Sequence, residues 1–129
     1  MNTREVFERA MRPERLTGEI HTDHLADDVV LEWPFGARRI EGVEAFAAIA
    51  GPARAALPFR VDEVLIDTVH ETADPEVIVV EYRLAGTMLA GGDRRESPLI
   101  AVIRARDGRI THWREYQDTL AIAQAMTGS

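Results

Sequence analysis

Four charged residues of this chain could move protons if the fold gathers them: Glu32, Glu81, Arg83 and Glu115. Glu115 follows Trp113 by two residues, in the stretch IAVIRARDGRITHWREYQD near the end of the chain. Side chains alternate along a strand, so Thr111, Trp113 and Glu115 share one face, and Ile110, His112, Arg114 and Tyr116 share the other. An acid beside an indole is a pocket floor. The same parity groups Val79 and Glu81 with Arg83, and Asp28 and Val30 with Glu32. If Glu32, Glu81, Arg83 and Glu115 all line one cavity, the carboxylates outnumber the guanidinium, an imbalance that low dielectric makes costly. At least one acid then keeps its proton and can donate it, while an acid lying against Arg83 stays ionised and can accept one. Enolisation, cyclisation and epoxide opening all require two acids with separated pKa values. For Glu81 and Arg83 a structural salt bridge between strands is the competing reading.

Trp33, Trp113, Phe35, Phe46 and Val30 are candidates for an apolar wall around such a site, and both tryptophans serve equally well as plain core. His21 and His24 stand three apart and could share a helical face with Asp28. With no further ligands in evidence, no metal is expected, and His24 is left as a residue of the cavity mouth. No phosphate-cradling glycine loop, dinucleotide fingerprint or serine–histidine nucleophile arrangement is present, so chemistry without a cofactor is implied. A formal charge of −7, from 22 acids and 15 bases, disfavours nucleic acid as a partner. The chain lacks cysteine, its apolar runs are short, and MNTREVFERA carries acids where a signal peptide needs an apolar run, so a cytoplasmic, non-membrane protein is expected.

The elements that must position these residues read as helices first and strands afterwards. Val6, Phe7, Ala10 and Met11 recur at helical spacing, with Thr3 as N-cap and Pro13 just past the end. Residues 22–28 read as one or two helical turns feeding a strand from Val29 to Trp33 that Pro34 stops. Arg38 to Glu41 is a short return strand, and Val43 to Ala56 is a helix that Gly51-Pro52 kinks or splits. From Phe59 the periodicity is that of strands: Phe59–Val69, Glu76–Met88, Glu96–Arg106 and Arg109–Gln117. They are separated by the turn signals Asp74-Pro75, Gly91-Gly92-Asp93 and Asp107-Gly108. Leu120 to Met126 forms a terminal helical turn. With 129 residues and no linker, repeat or low-complexity segment, the chain is one α+β domain spanning residues 1–129, its helices gathered on one face of a curved antiparallel meander.

The words LADDVVLEWPFG, RRIEGVEAFAAI and GRITHWREYQD resemble the SnoaL-like branch of the nuclear-transport-factor-2-like superfamily. The resemblance covers essentially the whole chain and implies a cone, a bent sheet wrapped around helices with an apolar cavity open at one end. Relatives include polyketide cyclases, ketosteroid isomerases, limonene epoxide hydrolase and phenazine-pathway proteins, together with binding modules that carry no chemistry. In the hydrolases and phenazine proteins the acid of the closing motif lies in the cavity, and Glu115 holds that place here. Arg83 matches the hydrolase's central-strand arginine. Ala85 stands where that enzyme has a further acid, and Val30 and Glu32 stand where it has a tyrosine and an asparagine, so orienting a water for epoxide opening calls for other groups here.

The resemblance therefore implies a cofactor-independent acid/base enzyme acting on an apolar, ring-bearing metabolite. Glu115 is the general acid or base, Arg83 orients it or stabilises negative charge, and Glu32 is the second polar group. A non-catalytic binding domain for a small hydrophobic molecule is the alternative. By parity Tyr82 and Tyr116 fall on the outer face of the sheet, where a homodimer is expected to form.

Overall fold

The computed structural model describes residues 1–127. In chain order its elements are α1 (Thr3–Ala10), β1 (Leu25–Trp33), β2 (Arg38–Glu41), α2 (Val43–Ala55), β3 (Phe59–Glu71), β4 (Val77–Met88), β5 (Arg94–Arg106), β6 (Arg109–Gln117) and α3 (Thr119–Thr127). Short 3-10 turns lie at Pro13–Arg15 and Pro34–Gly36.

The cap of α1 is Asn2, not Thr3 as the sequence reading had it. The Asn2 side chain accepts from the Glu5 amide at 2.8 Å, and the Glu5 carboxylate accepts from the Asn2 amide at 3.2 Å, which satisfies two exposed helix-end donors reciprocally. Thr3 is freed for another task. Its buried hydroxyl donates to the Glu76 carbonyl at 2.7 Å and ties the helix to the entry of β4. From this anchored helix Val6, Phe7, Ala10 and Met11 enter the core, as their spacing predicts.

The strands form one six-stranded sheet in the order β2-β1-β6-β5-β4-β3. The β3 to β6 meander is antiparallel throughout, as expected, but β1 runs parallel to β6, so the sheet is mixed. That pairing also corrects the reading of residues 22–28. Instead of helical turns, β1 begins at Leu25, because Leu25 is buried opposite Ile110 and the Ile110 amide donates to the His24 carbonyl at 2.8 Å. A partner so distant in sequence leaves no local signature. In α2 the helix continues through Gly51-Pro52 to Ala55 and does not split there.

Bends follow from local chemistry. Asp107 and Gly108 both have positive φ, 54° and 78°, the backbone that a two-residue hairpin turn between twisted strands demands. At Gly86 a Cβ would lie 2.0 Å from the Arg60 carbonyl oxygen, so only glycine lets β3 and β4 approach this closely. Register shifts in β3 between Val61 and Glu63 and between Ile66 and Thr68 curve the sheet edge. The helix-covered side of the sheet is here called inner. It holds Val29 and Leu31 of β1, Ile78, Val80 and Tyr82 of β4, Leu99, Ala101 and Ile103 of β5, and Trp113 of β6, all buried in one core cluster with Val6, Phe7, Ala10 and Met11 of α1. The architecture is α+β, a curved mixed sheet with helices on one face.

Candidate functional site

Burial along the strands fixes which face each candidate takes. On β6, Trp113 is buried, so Glu115 and Gln117 follow it to the inner face, while His112, Arg114 and Tyr116 point outward. Ile110 is inner as well, because a register shift at Arg104/Ala105 interrupts the alternation that the sequence alone would continue. Glu115 meets three donors. The Tyr82 hydroxyl donates to Oε1; the Trp33 indole N–H donates to Oε2 at 3.0 Å, and the Gln117 amide donates to the same oxygen at 2.8 Å. Behind this cluster, Phe7 lies edge-on to Tyr82 and tilted against Trp113, with ring centroids 5.4 Å apart in each pair.

The chemistry of these donors matters. An indole N–H only donates, so Oε2 must face it as an acceptor. Tyr82 is fully enclosed, and burial, then the charge of Glu115, then the hydrogen bond to it push the phenol well above its ordinary pKa, so it stays protonated as a donor. A carboxylate offers about four acceptor sites, and these donors use three, which leaves one on Oε1. Among the described residues no cation pairs with Glu115. The result is a half-buried carboxylate held in one orientation by neutral groups.

The structure separates the other expected catalytic residues from it. Arg83, with Glu81, lies on the outer face of β4, and the inner face belongs to Ile78, Val80 and Tyr82. The physical reason is desolvation: Tyr82 keeps its single polar atom bonded when buried, whereas Glu81 and Arg83 would bring two charges out of water. Tyr82 is thus corrected from outer to inner, while Tyr116 is outer as expected. Arg83 is clamped by Asp67, at 2.7–3.2 Å, and by Glu96 at 2.7 Å. Glu81 bonds His70 at 2.6 Å. Glu32 also faces outward, because Val29, Leu31 and Trp33 take the inner face of β1. It bonds His112 and pairs with Arg39 at 3.3 Å, and the His112 hydrogen bond holds its carboxyl below the usual range. No chamber of three acids around one guanidinium forms.

The expected wall residues divide likewise. Trp33 reaches Glu115, Trp113 packs behind it, and Phe46 of α2 packs partly buried against the core. Val30 shares the outer face with Glu32. Phe35 is 70% exposed and edge-on to Tyr116 at 5.3 Å, because the Pro34–Gly36 turn carries it past the sheet. His24 precedes Leu25 at the Ile110 end of β6, whereas Glu115 is at the other end. Its Nδ1 accepts from Arg15 at 3.1 Å, and burial, then the Arg15 charge, lower its pKa to about 4, so it is neutral at pH 7. The sequence reading missed Gln117 and the inner role of Tyr82. The i, i+2 spacing after Glu115 reveals the first, and the apolar alternation Ile78-Val80-Tyr82 reveals the second.

Among the described residues no group of three or more His, Asp or Glu side chains gathers to hold a metal ion, and no helix is long and apolar enough to cross a membrane. Residues 4–113 match the family model described as the SnoaL-like domain, which stops two residues short of Glu115. The uncharacterized protein YesE of Bacillus subtilis is 34% identical over 62 residues, a stretch covering 48% of this chain and 42% of YesE. A crystal structure called "Putative Isomerase from Bacillus subtilis" superposes with a TM-score of 0.81 at 25% identity, covering 100% of this chain and 98% of that one. An LEH-like epoxide hydrolase from M. tuberculosis superposes at 0.64 with 27% identity, covering 98% of this chain and 87% of that one.

Proposed function

The chain belongs to the SnoaL-like domain family, and from that premise we propose that it is an acid/base enzyme of the isomerase, cyclase or hydrolase type, acting on an apolar, ring-bearing metabolite. Glu115 is the group that moves the proton, and no step is assigned to a cofactor. The observation that carries this reading is the convergence of three neutral donors on one half-buried carboxylate at the inner face. A carboxylate placed only for stability is ordinarily matched to a cation, as Asp67 and Glu96 are to Arg83. The isomerase and epoxide-hydrolase neighbours add support at the level of reaction class.

In this reading the open acceptor site on Oε1 takes a proton from a carbon acid beside a carbonyl, or from a water attacking an epoxide carbon. The protonated Glu115 then returns it to another atom of the same substrate. Tyr82, Trp33 and Gln117 fix the carboxylate so that its free lone pair points in one direction, which lowers the entropic cost of reaching a reactive geometry. Aromatic and aliphatic neighbours favour an apolar ring over a charged ligand.

The test is a panel of cyclic β,γ-unsaturated ketones and cycloalkene oxides, with deuterium exchange, isomerisation and ring opening followed by mass spectrometry. Glu115→Gln keeps shape and polarity and removes proton transfer, so turnover falls on the order of 10²-fold or more. Affinity, read from the fluorescence of Trp33 and Trp113 together, stays within a few-fold. Ligand binding without turnover in the wild-type chain would instead identify a binding domain for a small hydrophobic molecule.

A further inference from the structure

Burial along the inner face falls off in one direction. On β5 the inner positions Ile103, Ala101 and Leu99 are buried, Ser97 is half-buried and Arg95 is exposed. On β4 they run from buried Ile78, Val80 and Tyr82 to half-buried Leu84. The two strands are paired without a register shift, Tyr82 beside Leu99, Leu84 beside Ser97 and Gly86 beside Arg95, so Ser97 and Arg95 share the face of Tyr82. The inner face is therefore closed at its Ile103 end and opens at its Arg95 end. Glu115 Oε1, which the Tyr82 hydroxyl holds, stands where the burial begins to fall.

Beyond Tyr82 this strip is apolar first and polar last. Val64 of β3 pairs with Leu84, and the Phe59 ring lies over Gly86, where a Cβ would come within 2.6 Å of it. Past that ring comes Arg95. The outward arginines of the same strand, Arg94 and Arg104, each lie against two carboxylates. Arg95 has only Asp93, at 3.8 Å and beyond hydrogen-bond reach, and among the described residues no hydrogen bond reaches the Ser97 hydroxyl. In a chain of 22 acids and 15 bases, an arginine at the open end with its donors uncommitted points to an acceptor that arrives with a ligand. We propose that the substrate carries a carboxylate on a side chain, and that Arg95, helped by Ser97, receives it at the mouth while the apolar ring lies against Leu84 and reaches Glu115. This rests on the reading of Glu115 given above and narrows its substrate class. Tyr82 and Gly86 are four residues apart on β4, about 13 Å at strand spacing, so the acid and the reacting atoms belong to opposite ends of the molecule. A guanidinium takes a carboxylate through two parallel N–H bonds, and at the open end water limits the cost of bringing the two charges together.

The test reads binding and turnover separately. The probes are cyclic β,γ-unsaturated ketones with alkanoate side chains of increasing length, each beside its methyl ester. Affinities are measured by isothermal titration calorimetry on Glu115→Gln, which holds a probe without converting it. The acid of best length binds about fivefold tighter than its ester, the size of a solvent-screened ion pair, and the margin shrinks as salt is raised. Adding Arg95→Gln abolishes the margin by weakening the acid and leaving the ester unchanged, whereas Arg95→Lys keeps part of it. Equal affinity for acid and ester, a margin that survives Arg95→Gln, or a series in which no acid binds overturns the proposal. Acids that bind with this margin and are never converted by the wild-type chain uphold the role of Arg95 and refute the acid/base reading of Glu115 instead.

Discussion

The inner and outer faces of this sheet treat carboxylates in opposite ways. Outside, Asp67, Glu81, Glu96 and Glu32 each lie against a guanidinium or an imidazole, partly exposed. Inside, Glu115 is held by a phenol, an indole and an amide. The outer pairs can exchange their partners for water at little cost. Glu115 has no such reserve on its enclosed side, where its partners are a buried phenol, an indole and an amide. The abundance of charge outside thus says little about function, while a single carboxylate among neutral donors says more.

The sharpest way to break this contrast is Tyr82→Phe, which removes one oxygen and leaves the ring against Phe7. A hydrogen bond to a charged group contributes about 1.5–3 kcal/mol, so the variant loses stability in that range by urea unfolding. If Glu115 acts on substrate, turnover on the panel falls as well, because the carboxylate is freer to turn. A loss below about 0.5 kcal/mol would show that water replaces the phenol and that the inner face is wetter than its packing implies.

A smaller effect belongs to His24, the other partly buried titratable group paired with an unlike neighbour. Its folded pKa, about 4, lies below the ordinary 6.5, so the unfolded chain binds the proton more readily. Stability is then fully present above pH 6.5 and fades as pH falls towards 4, the sign expected for a histidine buried neutral. Arg15, Asp23 and His21 are the charged and titratable groups around it, and Asp23, lowered by its bond to Arg15, protonates only below this window. His24→Gln should flatten the urea midpoint between pH 6.5 and 4.5 relative to wild type, and an unchanged slope would place the titrating group elsewhere.

Much of this was legible beforehand, and what was not had definite causes. Strand periodicity located β3 to β6 because their alternation is local, and the closing motif singled out Glu115. Parity, however, says which residues share a face and not which face that is. Glu81 and Arg83 did share a side with Val79, but it was the outer one, and the apolar run Ile78-Val80-Tyr82 held the information needed to choose. The parallel partnership of β1 with β6 was not legible because nothing near Leu25 records Ile110. The bulge beside Ile110 hid for the same reason: it is set by the register with β5.

The smallest expected effect belongs to the most conspicuous contact. Arg83 makes four hydrogen bonds to two carboxylates, and its guanidinium pKa is raised above the ordinary arginine value, first by Asp67 and then by Glu96. Yet its side chain is 37% exposed and those of Asp67 and Glu96 are 42% and 40% exposed, so water screens the attraction and rehydrates the acids once the cation is gone. Arg83→Met keeps the aliphatic stem over β4 and removes the charge. The urea midpoint of this variant should stay close to that of the wild type, as expected for an ion pair bathed in water. Panel turnover should not change, because Arg83 lies across the sheet from Glu115. A loss of activity from this variant alone would mean that the outer face reaches the reaction, and the division of labour between the two faces would have to be abandoned.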